Sequence, residues 1–151
     1  MFTLTRVVAA LLLMGFSLWI AGPYDLLYDA ETELVGLNRL LGIVGFCVGW
    51  GFLGRGSRAL WLSAYFGVQA VAMVGIIAAV VAAVRDIFVL GYRRQYTDPA
   101  EAVLAIPEIS INYLTASFEL EFLGLLAGGG VVIGLLVHVI DKALDRRRLA
   151  R

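Results

Sequence analysis

Long runs of apolar residues dominate the hydrophobic pattern of this chain. Residues 5–24, 34–54, 59–84 and 122–140 form four such runs, whose charged side chains are Arg6 and Arg39, each near the start of its run. About 20 mainly apolar residues in a helix cross the ~30 Å hydrocarbon core of a bilayer. Because lipid offers no water to the backbone, each run is expected to be helical. The pattern predicts four transmembrane helices.

The connection between the third and fourth runs has a different pattern, with polar and apolar residues recurring every three, four or seven positions. This period is typical of an amphipathic helix, predicted over about residues 99–119. Such a helix lies in the membrane interface or across the end of a bundle. Its polar stripe contains Glu101, Glu108, Asn112, Thr115 and Glu119, and its apolar stripe contains Leu104, Ile111, Leu114 and Phe118.

The start of this amphipathic helix carries capping residues. Asp98 is predicted as the N-cap, Pro99 as the first helical residue, and Glu101 as the acid that returns to the cap. Pro107 is expected to kink the helix or break it in two.

The composition agrees with a membrane protein. Hydrophobic residues make up 61% of the chain and charged residues 16%, with a mean hydropathy of +0.89. Soluble domains average about 45–50% apolar and about 25% charged residues. We therefore predict an all-α membrane protein with a single membrane domain, residues 1–151. It would have four transmembrane helices, an additional amphipathic helix on the periplasmic side, and a basic cytoplasmic tail at 141–151.

The charges divide unequally between the two sides that four spans create. The side with both termini and the loop between the second and third spans has eight basic and two acidic residues, a net charge of +6. The other side has four basic and ten acidic residues, a net charge of −6. Because cytoplasmic loops are enriched in Lys and Arg, both termini are predicted to be cytoplasmic. The net charge of zero gives no indication of nucleic-acid binding.

The first run could also be read as a secretory signal, since residues 7–21 follow Arg6. Trp19 stands where a small residue is wanted for cleavage, so we expect a retained first transmembrane helix.

Glycines at helical spacing are the main candidate contact residues of the spans. Close backbone approach at small residues is a main source of helix packing in lipid. These positions predict either a docking face for another protein or packing within the bundle itself. They are Asn38, Gly42, Gly45 and Gly49 in the second span, and Gly124, Gly128, Gly130 and Gly134 in the fourth.

Charged residues around the outer connection are candidates for ion pairs that hold the outer helix down. The basic candidates are Arg39 and Arg85, and the acidic ones are Glu119 and Glu121. A cation site formed by the acids Glu101, Glu108, Glu119 and Glu121 is the less favoured interpretation.

The centres of the spans contain no ionisable residue, although such residues usually mark proton or ion paths. Gln69 is the most polar candidate for burial, Cys47 is expected to be a small apolar filler, and His138 a structural histidine. No nucleophile–base pair, phosphate loop or metal-ligand cluster is evident, so the sequence predicts no enzyme, no metal and no cofactor. A lipid, quinone or pigment between the helices is compatible with this composition.

Three stretches resemble the TrgA-like family of alphaproteobacterial inner-membrane proteins, which are associated with tellurite resistance. The matching residues are Asn38, Gly42, Gly49, Trp50 and Gly54, then Tyr96-Thr97-Asp98-Pro99-Ala100-Glu101-Ala102-Val103, and the run from Gly128 to Gly134. The tail from Asp145 to Arg151 and the acids around Asp25–Glu33 depart from the family pattern. The resemblance implies a link to tellurite resistance but assigns no chemistry to particular residues.

Two functions remain open from the sequence. The preferred one is a non-catalytic accessory or assembly subunit that contacts lipids and binds another integral membrane protein, with respiratory or photosynthetic complexes as plausible hosts. The alternative is a small-ion or oxyanion transporter or exporter that acts as a homo-oligomer, its path lined by Asn38, Gln69 and glycine carbonyls.

Overall fold

The chain folds into α-helices throughout the part that the computed structural model describes, which is residues 4–27, 37–55, 59–92 and 99–149. The helices are α1 (Leu4–Leu27), α2 (Leu37–Gly51), α3 (Leu60–Tyr92), α4 (Pro99–Ala116) and α5 (Leu120–Leu149), with a 3-10 turn at Leu53–Arg55. No strand occurs in these ranges. The prediction of an all-helical chain is confirmed.

Three of the helices are long and apolar enough to cross a membrane. These segments are Leu4–Pro23, Leu60–Phe88 and Leu120–Arg146. Their length and composition are those of a multi-pass membrane protein.

The second predicted span is shorter than expected. α2 has 15 residues and is therefore about 22 Å long at 1.5 Å per residue. It ends at Gly51, where three glycines fall within six positions and weaken the helix. The backbone then tightens into the 3-10 turn, which continues alongside α1 as far as Arg6.

Helices α1, α2, α3 and α5 form a ring, in which α1 packs on α2, α2 on α3, α3 on α5, and α5 on α1. Close contacts between glycines and neighbouring backbones fix the register: Gly42 lies at Leu18 and Gly49 at Ala10, so α1 and α2 are antiparallel. The core is rich in alanine and valine, as at Ala9, Val74 and Ala78. Small side chains allow these helices to approach closely.

The two ends of the bundle differ in chemistry. At one end, which we call the basic end, the Thr5 hydroxyl donates to Asp141 Oδ1 at 2.8 Å, so the beginning of α1 meets the last third of α5. Arg6, Lys142 and Arg146 lie at this end. The opposite end, which we call the α4 end, holds the helix that follows α3.

Two helices extend beyond the predicted spans, and α4 is not interrupted at its proline. α3 continues eight residues past Val84, and α5 continues through the basic tail to Leu149. α4 runs through Pro107 without a break. Proline removes one hydrogen bond there, but the buried face of α4 packs along α3 and keeps the helix in one piece.

Candidate functional site

The glycines of α2 are used in packing against α1. A Cβ atom placed on Gly49 would lie 2.7 Å from the Ala10 Cα, and one on Gly45 would lie 2.9 Å from the Ser17 Cβ. Gly42 meets the Leu18 side chain in the same way. Asn38, one turn earlier, is exposed. Of the two interpretations of these glycines, the contacts favour packing within the bundle.

The second glycine pair of α5 packs against α3. A Cβ on Gly130 would lie 2.7 Å from the Val68 Cα, and one on Gly134 would overlap the carbonyl oxygen of Ser63. Gly67 of α3 completes this contact, since its own Cβ would overlap the Gly130 carbonyl. Gly67 was not predicted to be a contact residue. As a glycine within an apolar run, it could have been included among the candidates.

The first glycine pair of α5 faces outward. Gly124 and Gly128 are exposed, and a Cβ on either would meet no atom within 4 Å. Exposed apolar side chains lie on the same helix surface, including Val131 and Val132. Two pairs with the same spacing on one helix therefore have different surroundings.

A polar cluster joins three helices near the basic end. Ser63 Oγ lies 3.1 Å from His138 Nδ1, and the Thr5–Asp141 hydrogen bond is one turn further along α5. Ser63 and His138 are 5% and 3% exposed. Thr5 and Ser63 were missed by sequence analysis because a single hydroxyl in an apolar run carries no recognisable pattern.

This cluster contains the residue types of a catalytic serine–histidine pair, but in the described part of the chain its side chains are enclosed and hydrogen-bonded to one another. Ser63 is buried, the Gly134 backbone covers its carbonyl, and Asp141 accepts from Thr5. A nucleophile needs space for the reacting carbonyl beside it. The arrangement is suited to joining α1, α3 and α5.

At the α4 end, a tyrosine attaches α4 to α3. Tyr113 is 5% exposed, and its hydroxyl donates to Asp86 Oδ2 at 2.5 Å. Ser110 lies on the same buried face and donates to the Ile106 carbonyl one turn earlier. A hydrogen bond to a charged acceptor is among the stronger side-chain contacts.

The predicted apolar stripe of α4 is mostly not the face that packs against the other helices. Leu104, Ile111 and Phe118 are 78%, 57% and 68% exposed, and Leu114 alone of the four is partly buried against the core. Tyr113 and Ser110 point inward because the aspartate on α3 gives the tyrosine a partner. In a membrane protein, lipid can cover exposed apolar side chains, so periodicity does not distinguish the two faces.

The residues proposed for outer ion pairs lie on the surface. Arg39, Arg85, Glu119 and Glu121 are all exposed, and no ion pair of Arg39, Glu119 or Glu121 occurs among the described residues. Pro99 is the first residue of α4. Asp98 and the side chain of Glu101 lie outside the described residues, so the cap is not placed.

Two single residues differ from expectation. Gln69, the polar candidate for burial, is exposed on α3, and Cys47, the expected apolar filler, is exposed on α2. Both sit on the outward face of a helix whose inward face is occupied by small residues.

An elongated cavity of about 430 Å³ lies toward the α4 end. All five helices contribute to its wall, which is apolar except at a few hydroxyls. Several lining side chains are exposed, among them Ile76 and Phe118, so the cavity is open to the surroundings.

Over the described ranges, no group of three or more His, Cys, Asp or Glu side chains is arranged to hold a metal ion. Comparison with protein-family models, with curated proteins and with solved structures gave no match.

Proposed function

We propose that this chain is a non-catalytic subunit of the bacterial inner membrane that binds another integral membrane protein, as an accessory or assembly factor. The observation that carries the proposal is the open surface at Gly124 and Gly128. Exposed small residues allow the backbone of a second helix to approach closely. A partner helix on α5 would use this pair as α3 uses Gly130 and Gly134.

The outward position of Gln69 supports a partner within the membrane. It lies in the first third of α3, between Gly67 and Ala70, which face inward. Lipid chains offer no hydrogen bond to an amide, so an exposed glutamine in a span is stabilised by a polar group on a neighbouring helix. Exposed neighbours such as Tyr65 and Met73 extend this surface.

In this proposal the chain crosses the membrane four times, with the basic end in the cytoplasm and α4 in the periplasm. α2 and its 3-10 turn are the second crossing. The close contacts from Gly42 at Leu18 to Gly54 at Arg6 support this, because α2 accompanies α1 along most of its length. The basic side chains beside Arg6 favour the cytoplasmic face.

The resemblance to TrgA-like proteins motivates tellurite resistance as the phenotype to examine. Respiratory and photosynthetic complexes are candidate hosts. A subunit that stabilises such a complex would affect resistance indirectly, through electron flow or membrane integrity, without chemistry of its own.

Native purification tests this function. Membranes would be solubilised in a mild detergent, and the chain followed by native electrophoresis and mass spectrometry. We expect the chain to comigrate with one larger membrane complex. The Gly128→Val and Gln69→Leu variants should lose this comigration. Gly15→Val is the matched control, because Gly15 is also exposed and a Cβ placed on it would meet no atom within 4 Å. Migration of the wild type only as a monomer or homo-oligomer would contradict the proposal.

The alternative function is transport of a small ion or oxyanion by a homo-oligomer. The exposure of both Asn38 and Gln69 favours it, since amides on the outer surface could line a path between copies. Purified protein in liposomes should then carry tellurite, phosphate or a common cation. Absence of flux for all of them would remove this alternative.

A further inference from the structure

We propose that the cavity at the α4 end is a binding site for one acyl chain of a membrane phospholipid. α3 contributes more of its lining than any other helix, from Val68 to Ala82, and α1, α2, α4 and α5 complete the wall. The inference concerns this cavity alone and does not depend on a protein partner.

The wall of the cavity selects for an aliphatic ligand. Its hydroxyls are largely engaged within the protein, because Ser17 donates to the Leu13 carbonyl at 2.7 Å and Tyr113 donates to Asp86. The remaining lining is almost entirely Val, Ala, Leu, Ile and Phe, and an apolar cavity of this kind stays free of water. A ligand with a buried polar ring substituent would leave that group without a partner.

The lining of the cavity suits a chain-shaped ligand. Val68 and Ala82 are 14 residues apart on α3, which is about 21 Å along the helix. A ligand that contacts both ends of this lining is therefore long, as an extended acyl chain is.

The cavity opens where lipid is available. Ile76, Phe118 and Leu123, which lie on its lining, are 54%, 68% and 38% exposed. They form an apolar rim through which a chain can enter from the surrounding leaflet. Gly75 also lines the cavity, and a Cβ placed on it would meet nothing within 4 Å, so the space beside it is open.

Photolabelling tests the site on the full chain. The protein would be reconstituted in phosphatidylethanolamine–phosphatidylglycerol vesicles containing a phospholipid with a photoactivatable group at mid-acyl chain. We expect labelled residues to concentrate on the cavity side of α3 between Val71 and Ala82. The double variant Ala72→Leu/Gly75→Leu should lower that labelling at least five-fold, because the new side chains occupy the cavity.

Two comparisons keep the result interpretable. Gly15→Leu changes an open glycine away from the cavity and should leave labelling of α3 unchanged. Labelling at Val139, an exposed lipid-facing position of α5, should be equal in all variants and reports that each remains inserted. If the wild type is labelled evenly over its lipid-facing surface, the proposal is wrong whatever the variants do. Recovery of an isoprenoid or ring-bearing molecule from the purified wild type, displaced by the double variant, would also overturn it.

Discussion

At the scale of single residues, the meaning of a glycine in this chain depends on what faces it. Gly130–Gly134 and Gly124–Gly128 have the same spacing on one helix. A Cβ atom on Gly130 or Gly134 would meet the α3 backbone, whereas one on Gly124 or Gly128 would meet nothing within 4 Å. Sequence spacing identifies all four as candidates. It cannot assign them, because the direction in which each faces depends on how α5 is rotated in the bundle.

Gly49→Val should destabilise the bundle through the contact of α1 with α2. The new side chain would meet the Ala9 carbonyl and the Ala10 Cα, which are backbone atoms that cannot move aside cheaply. Overpacking of this kind typically costs about 1–3 kcal/mol. The free energy of unfolding would be measured by denaturation in mixed micelles. Gly15 has no such neighbour, so the free energy of unfolding of Gly15→Val should be close to that of the wild type. An equal decrease in both variants would contradict the role of the Gly49 contact.

Ser63→Ala should also lower stability, because it leaves the buried His138 ring without its hydroxyl contact. Removing one partner from a buried pair costs about 1–3 kcal/mol. Ser110→Ala is the matched control. Ser110 is similarly buried, but its hydroxyl donates to a carbonyl of its own helix. Removal of this hydroxyl should therefore change the free energy of unfolding little. The same unfolding measurement applies. A Ser110→Ala loss as large as that of Ser63→Ala would argue against a specific α3–α5 contact.

At the scale of elements, α4 shows how much of the fold periodicity can supply. The existence of this helix and its start at Pro99 were predicted from the chain. Its inward face was not, because an exposed Leu104 or Phe118 costs little where lipid covers it. The buried face is defined by Tyr113 and Asp86, which are 27 residues apart and have no sequence pattern in common.

Tyr113→Phe should loosen α4 without unfolding the bundle. The variant keeps the ring in place but leaves Asp86 without the tyrosine hydroxyl, and a hydrogen bond to a charged group is worth about 1.5–3 kcal/mol. Hydrogen exchange of α4 amides should accelerate, while exchange at the centres of α1 and α5 should not change. Asp86→Asn retains an acceptor oxygen and should have the smaller effect. Unchanged exchange of α4 in Tyr113→Phe would mean that packing alone holds the helix.

At the scale of the whole molecule, the apolar runs predicted helices but not their order around the ring. The contact of α1 with α5, for example, includes the Thr5–Asp141 hydrogen bond, which joins residues 136 positions apart and has no sequence pattern. The cavity was equally unpredictable. It exists because side chains from all five helices leave space between them, and no local pattern records that space.

The orientation of the whole bundle gives a prediction that includes the second crossing. In a Cys47→Ser background, Thr115→Cys on α4 should react in intact cells with a thiol reagent that crosses only the outer membrane. Lys142→Cys at the basic end should react only after the inner membrane is permeabilised. Both side chains are exposed, so a lack of labelling cannot be attributed to burial.

Asn38→Cys and Ala59→Cys extend this test to α2, since one of these exposed residues lies in its first turn and the other follows it in the chain. Four crossings require the first to react from outside and the second only after permeabilisation. The described part of α2 is about 22 Å long, and the 3-10 turn that follows it extends this segment toward the ~30 Å of a hydrocarbon core. If both positions react from the same side, α2 is a re-entrant helix, and the two termini lie on opposite faces of the membrane.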